Sequence, residues 1–302
     1  MRILFMGTPE IAVRCLDALV QEHEVVCVAT QPDRPKGRGH RLAFPPVKER
    51  ALELGLDVVQ PTALKDGAFL EVLERYAPEV IAVVAYGRIL PKYILEYPKY
   101  GCINVHASLL PKYRGAAPIQ RAVLNGEAVS GVTTMRMDEG LDTGDMLLRR
   151  EIPIPEMMTG GELYEQMCTV GSALLLETLA RIDEIRPAPQ TGDGSYAPML
   201  TKADTVIQWN RPAREILNLI RGLNPLPAAR TTENGRILKV YAARAGTLQG
   251  APGTVLATDG GLTVGCADGS VVLTEVQPEG KRRMSAEDFL RGNKTEVGAM
   301  LG

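Results

Sequence analysis

Near the middle of this chain runs Gly101-Cys102-Ile103-Asn104-Val105-His106-Ala107-Ser108-Leu109-Leu110-Pro111, followed by Lys112-Tyr113-Arg114-Gly115-Ala116-Ala117-Pro118. Cys102 to His106 reads as the end of a buried strand, with Pro111 and Gly115 punctuating the loop after it. Residues two apart on a strand point to the same face, so Asn104 and His106 project together near a strand end. An amide and an imidazole side by side are costly as core filler, because each needs partners. Downstream, Gly140-Leu141-Asp142-Thr143-Gly144-Asp145 is a turn carrying two carboxylates. An Asn, a His and an Asp brought together make a small polar site for acyl chemistry. The amide can donate to an oxyanion, the imidazole can donate or move a proton, and the carboxylate can orient the ring or accept a proton. A lone His106 is more often a satisfied structural histidine; the same-face Asn104 and the Asp142 turn reverse that preference. Asp145 competes for the carboxylate role, whereas Asp138 and Glu139 read as solvated.

Other stretches frame this site. Gln31-Pro32-Asp33-Arg34-Pro35-Lys36-Gly37-Arg38-Gly39-His40-Arg41-Leu42 breaks both helix and strand with its Gly and Pro. Most charge runs are solvated surface, but these cations follow a strand end directly. An arm of Arg34, Lys36, Arg38 and Arg41 over the site suits a polyanionic substrate whose phosphates it neutralises. Ile81 to Pro91 reads as a core strand leading into an apolar loop, where Tyr86, Gly87 and Ile89 could wall a pocket for a flat ligand. Ser108, Leu109, Leu110 and Pro111 could form another wall. Gly7-Thr8-Pro9 opens a helix after the first strand, but GxGxxG is absent and Pro9 removes a backbone donor, which argues against a dinucleotide loop.

The elements that position these residues alternate in the first half. Ile3–Met6, Val25–Thr30, Val58-Val59, Val80–Ala85 and Cys102–His106 read as strands. Pro9–Val20, Val47–Leu54 and Phe69–Tyr76 have helical spacing. Continuously apolar strands separated by helices imply a parallel, doubly wound sheet, whose functional residues gather at strand carboxyl ends. Thr133–Met137 is a further strand and Gly161–Ile182 a long helix. Arg186–Ser195 is rich in Pro, Gly and polar residues and reads as a linker. Pro212–Arg221 is a short helix. Leu238–Ala242, Gly253–Ala257, Leu262–Cys266 and Val271–Val276 are short strands with Gly-rich turns, the pattern of a small β-barrel.

At 302 residues the chain suggests two domains or one large one, and 45% hydrophobic content supports a packed core. No stretch approaches the ~18 apolar residues of a membrane span. The first residues enter a strand rather than a secretion signal, so the expected compartment is the cytoplasm. Five scattered cysteines without a CxxC pair, and three histidines without ligand spacing, argue against a disulfide framework and a zinc site. Cys102 is close enough to the site to be weighed as a nucleophile; a small apolar residue inside a strand is the simpler assignment. Net charge is −2, with −4 over residues 1–190 and +2 over 191–302. Gln31–Arg50 departs from both averages, with six basic residues against two acidic.

Phe5-Met6-Gly7-Thr8-Pro9-Glu10, Thr30 to Pro35 with Gly37-Arg38-Gly39, Val84 to Gly87 with Ile89-Leu90-Pro91, Gly101 to Gln120, and Asp138 with Gly140 to Asp145 resemble the methionyl-tRNA formyltransferase family over essentially the full chain. Asn104-Val105-His106 and Ser108 to Pro111 are shared by the wider group using 10-formyltetrahydrofolate. The basic loop and Leu141 to Gly144 are more specific to the tRNA enzymes. The resemblance implies a Rossmann-like formyltransferase domain over 1–187, a linker over 188–205, and an oligonucleotide-binding-like β-barrel over 206–302. It implies formyl transfer from 10-formyltetrahydrofolate to the α-amino group of methionine on initiator Met-tRNA, for translation initiation. It assigns Asn104, His106 and Asp142 to catalysis. Ser108 to Pro111, with Tyr86, Gly87 and Ile89, go to the folate, and the basic loop around Arg38 to the tRNA acceptor end. No metal and no membrane are expected, and the chain is expected to act as a monomer. Leu226 departs from the family, where many members carry an aromatic residue. Two rivals stand: formylation of a sugar nucleotide, and an RNA-binding protein with a vestigial enzyme domain.

Overall fold

A strand that is apolar at every position needs cover on both faces. In the computed structural model, which describes residues 1–36, 41–65, 67–293 and 295–302, β1 (Arg2–Gly7) meets this need by alternation. Ile3 and Phe5 join one hydrophobic cluster, Leu4 and Met6 another. The chain continues as α1 (Glu10–Glu22), β2 (Glu24–Ala29), β3 (Arg34–Lys36), β4 (Arg41–Ala43), α2 (Pro46–Glu53) and β5 (Val58–Val59). Next come α3 (Leu70–Tyr76), β6 (Val80–Val84), α4 (Lys92–Leu95), β7 (Cys102–His106), α5 (Pro118–Leu124), β8 (Val129–Arg136), β9 (Met146–Pro153) and α6 (Gly160–Ala180). Leu16 and Leu19 of α1, Val47 of α2, and Leu175 and Leu179 of α6 cover one face; Leu73 of α3 and Ile94 of α4 cover the other.

Seven strands lie in the order β5-β2-β1-β6-β7-β8-β9. β1 is parallel to both β2 and β6, β2 to β5, and β6 to β7. The chain winds outward from β1 to β5 and then crosses to the other side of β1. That reversal opens a crevice beyond the strand carboxyl ends. The parallel, doubly wound sheet expected from the alternating strands is present over β5 to β7; the strand expected at Thr133–Met137, β8, runs antiparallel to β7, with His106 opposite Thr133 and Asn104 opposite Met135. β9 is a further strand beyond it. Its Arg149, Arg150 and Glu151 blunt an exposed edge and interrupt its apolar run. The basic loop, expected to be neither helix nor strand, contains the antiparallel pair β3 and β4, with Lys36 opposite Arg41. So short a ribbon buries little and leaves no hydrophobic pattern to read.

Two compact units are present: 1–115, 130–152 and 164–197 in the first, and 116–129, 153–163 and 198–302 in the second. Beyond α5 and the start of α6, the second holds α7 (Ala213–Gly222), β10 (Ala229–Glu233), β11 (Arg236–Gly246), β12 (Val255–Ala257), β13 (Leu262–Cys266), β14 (Gly269–Pro278), β15 (Met284–Ser285) and α8 (Ala286–Gly292). Its antiparallel sheet is ordered β10-β11-β14-β13-β12, with β15 on β14. The last residues join the two edges. Val255 N–H donates to Ala299 O and Leu301 N–H to Gly253 O, each at 2.8 Å, while Thr232 N–H donates to Gly302 O at 2.7 Å. This closes the sheet into a barrel and removes its open edges. Val240, Val264, Val271 and Leu273 fill it together with Ile216 and Ile220 of α7. Among the described residues, no helix is long and apolar enough to cross a membrane.

Candidate active site

β7 sits between β6 and β8, and its ladder fixes which way each side chain points. Ile103 faces the first cluster and Cys102 the second, so Asn104 and His106 share the Cys102 face. Both are buried, at 8% and 6% exposure. His106 Nε2 lies 2.9 Å from the Tyr113 carbonyl oxygen. A carbonyl only accepts, so Nε2 carries a hydrogen, and Nδ1 is the nitrogen left for other work. Nδ1 faces Asp142 Oδ2 at 3.6 Å. Among the described residues the Asn104 amide has no hydrogen-bond partner. An amide held by its backbone and free of protein partners among the described residues is a donor in reserve.

Asp142 reaches this pair from the loop between β8 and β9. It adopts the left-handed conformation, φ +53°, which Asp tolerates better than most residues. Its Oδ2 accepts the Gly115 N–H at 2.8 Å; Oδ1 takes no donor among the described residues. Gly144 lets the loop close, since a Cβ there would lie 1.8 Å from the Arg136 carbonyl oxygen. Asp138, read as solvated, is exposed but builds the turn, accepting from Gly140 N–H at 3.0 Å and Thr143 Oγ1 at 2.7 Å. Asp145, the competing carboxylate, is exposed, and its backbone oxygen accepts the Arg136 N–H at 2.8 Å to close the hairpin.

Three residues that the sequence did not mark hold the two loops together. Gln190 Nε2 donates to the carbonyls of Asp142 and Gly144, both at 2.8 Å. Its Oε1 accepts from Arg114 Nε at 3.0 Å and Nη2 at 2.8 Å. Ser195 Oγ accepts the Tyr113 N–H at 2.9 Å, and its carbonyl accepts the Arg114 N–H at 2.8 Å. Ala188 exchanges backbone hydrogen bonds with Met146 of β9. The stretch that composition marks as a linker is thus bonded to the loop after β7 and to the Asp142 loop. Pro and Gly signal a break in regular structure, not the absence of partners.

The seven residues expected to wall a flat ligand cluster at the carboxyl ends of the adjacent strands β6 and β7, but divide by role. Tyr86 is buried in the core, its hydroxyl without a partner among the described residues and its phenol pKa raised by burial. Its carbonyl accepts from Thr8 Oγ1 at 3.2 Å and Gln31 Nε2 at 3.1 Å. Ser108 and Leu110 are fully buried and close their own turn. Ser108 Oγ donates to Lys112 O at 2.6 Å, and Thr133 Oγ1 donates to Ser108 O at 2.7 Å. Gly87 and Ile89 are exposed, Ile89 at 71%, and Leu109 and Pro111 are half-buried. A cavity of about 620 Å³ lies elsewhere, at the amino end of β7, where Leu95, Gly101, Arg136 and Met137 line it; none of the seven wall residues does.

The basic segment is partly neutralised. Lys48 Nζ pairs with Asp33 at 2.7 Å and Arg50 with Asp17 at 2.7 Å. Hydrogen bonds from Lys48 and then Gln60 hold the Asp33 carboxyl below its ordinary range. Arg34 is exposed and has no ion-pair partner among the described residues. Lys36 and Arg41 are paired backbone positions of β3 and β4, and Arg38 lies outside the described residues. Cys102 is no nucleophile: it is fully buried, and desolvation pushes its thiol to about 12. Among the described residues no group of three or more His, Cys, Asp or Glu is placed to hold a metal.

A family model for formyl transferase matches residues 1–179, and one for the formyl transferase C-terminal domain matches 199–294. The methionyl-tRNA formyltransferase of Pelotomaculum thermopropionicum is 51% identical over 309 residues, covering 100% of this chain and 99% of that protein. The chain belongs to the methionyl-tRNA formyltransferase family. The Clostridioides difficile member is 47% identical, with 100% of both chains covered. Solved structures share the fold of this family member at lower identity. HypX from Aquifex aeolicus superposes with a TM-score of 0.66 at 20% identity, covering 99% of this chain and 48% of HypX, so the chain spans about half of that protein's length. An N-formyltransferase from Helicobacter canadensis, solved with folinic acid and dTDP-3-aminofucose, gives 0.66 at 20% identity, covering 92% of this chain and 99% of the other.

Proposed function

We propose that this chain transfers the formyl group of 10-formyltetrahydrofolate to the α-amino group of methionine on initiator Met-tRNA, in the cytoplasm, for translation initiation. The observation that carries it is the convergence of Asn104, His106 and Asp142 at the carboxyl end of β7. Asn104 donates its free amide hydrogen to the formyl oxygen as negative charge builds there. His106, with Nε2–H committed to Tyr113, works through Nδ1 and adds positive charge beside that oxygen when protonated. Asp142 keeps Oδ2 on Gly115 and Nδ1, and its open Oδ1 holds the proton that the attacking amine sheds. The formyl donor, when bound, supplies a carbonyl already activated on nitrogen; as the bond to the amine forms, the bond from the formyl carbon to that nitrogen breaks, and the proton shed by the amine passes to it as tetrahydrofolate leaves.

The residues present fit a folate. Ile89 and Leu141 stand 71% and 53% exposed on the loops that end at the site, leaving apolar surface for a flat ring system. We assign Gly87, Ile89, Leu109 and Pro111 to contact, and Tyr86, Ser108 and Leu110 to support of those turns. We assign Arg34, with Lys36, Arg38 and Arg41, to the tRNA backbone, where cations neutralise phosphates. We place the catalytic domain at 1–187, the linker at 188–205 and the barrel at 206–302; the separate family matches to 1–179 and 199–294 support two domains, though the second begins inside that linker.

The test offers labelled 10-formyltetrahydrofolate with initiator Met-tRNA, elongator Met-tRNA or a UDP-amino sugar. Label on initiator Met-tRNA alone is the expected result. Label on the sugar would keep the catalytic set and overturn the acceptor. Label on none of them would overturn the enzymatic reading.

A further inference from the structure

Asp142 depends on a clamp formed by a residue far away in sequence. We propose that Gln190 is a positioning residue for formyl transfer, acting through Asp142. This rests on the catalytic role given above to Asp142. A loop residue at φ +53° has no ladder to hold it, and its side chain must meet Nδ1 of a histidine fixed on a strand. Gln190 supplies the missing restraint. Its two N–H donors go to the backbone carbonyls on either side of Thr143, those of Asp142 and Gly144. Its oxygen receives the Arg114 guanidinium from the loop after β7. That same loop supplies the Tyr113 carbonyl to His106 and the Gly115 N–H to Asp142. One amide therefore ties the loop that holds the imidazole to the loop that holds the carboxylate. All four of its hydrogen bonds are spent, and none is left for substrate.

A glutamate at this position separates positioning from packing. Gln190→Glu keeps the shape and strengthens the contact with Arg114, but it loses both donors and sets a carboxylate against two carbonyls. Four proteins are compared in single-turnover formyl transfer to Met-tRNA: wild type, Gln190→Glu, Asp142→Asn and the double variant. Gln190→Glu is expected to lose on the order of 10-fold to 10²-fold in rate, the scale of a misplaced catalytic group, with KM for both substrates within about 2-fold. In the Asp142→Asn background the same change is expected to cost little more, because its route runs through the carboxylate. A wild-type rate for Gln190→Glu, or a double-variant loss equal to the product of the single losses, would overturn the proposal. If wild type instead formylates the amino sugar, the same four proteins are compared on that acceptor. Amide hydrogen exchange over residues 139–145 reads the clamp without any acceptor. Faster exchange in Gln190→Glu is expected, and unchanged exchange would overturn the proposal even if no acceptor were formylated.

Discussion

The two halves of the site are held by different means. Asn104 and His106 stand on β7, where backbone pairing with β6 and β8 fixes both position and direction. Asp142 stands on a loop in a left-handed conformation and is held by side chains and N–H groups borrowed from elsewhere: Gln190, Arg114 and Gly115. A strand delivers a side chain through its local pattern, at the cost of fixing everything around it. A loop can carry a carboxylate to within 3.6 Å of the imidazole from another direction, but only if long-range contacts hold it there. In the proposed mechanism, the rigid half carries the donor to the oxyanion and the borrowed half the group that takes the proton.

Four substitutions sharpen or break that contrast. Asp142→Asn keeps an acceptor for Gly115 N–H but removes the charge and the proton site, so kcat is expected to fall roughly 10²–10⁴-fold. Steady-state formylation of Met-tRNA checks it; retention of full kcat would remove Asp142 from the chemistry. Asn104→Ala is expected to lower kcat on the order of 10²–10³-fold. Its thermal midpoint should stay near wild type, since the amide has no hydrogen-bond partner to abandon among the described residues; a large drop would make Asn104 a packing residue. Gly144→Ala tests how tightly the borrowed half is built. The added methyl meets the Arg136 carbonyl at 1.8 Å, and a stability loss of about 1–3 kcal/mol in urea unfolding is expected. A change within about 0.5 kcal/mol would show a slack hairpin.

The smallest effect is expected outside the site, in the second unit. Asp204 is held down to about 2, first by the Thr201 hydroxyl and backbone N–H and then by Arg121. A carboxyl with a depressed folded-state pKa contributes stability above its unfolded pKa and loses it as pH falls through the folded one. Wild type should therefore shed part of its advantage over Asp204→Asn between about pH 5 and pH 2 in thermal melts. Neutral-pH formylation should not change. A rate loss there would show the second unit feeding into the chemistry.

The strand-borne half was legible because alternation over Cys102–His106 is local: five residues suffice to place Asn104 and His106 on one face. Asp142 was legible through the Gly-rich turn around it. What holds it was not, since Gln190 lies 48 residues away in a stretch whose Pro and Gly suggest only a break. The same division runs through the fold. β1, β2 and β6, apolar on both faces, were found close to their true bounds. β9 was missed, its middle three residues being charged. In the barrel, Leu262–Cys266 matched β13, while β10, Ala-Arg-Thr-Thr-Glu, offered no apolar run. Closure by residues 299–302 depends on a few backbone bonds to β10 and to the 253–255 segment, and no sequence period encodes such a contact.

The most direct test of the central claim is single-turnover transfer of labelled formyl from 10-formyltetrahydrofolate to initiator Met-tRNA, with enzyme in excess, by wild type, Asn104→Ala and Asp142→Asn. Wild type is expected to transfer the label, and both variants to lose about 10²-fold or more, with unchanged affinity for the formyl donor. Transfer at the wild-type rate by either variant would contradict that claim.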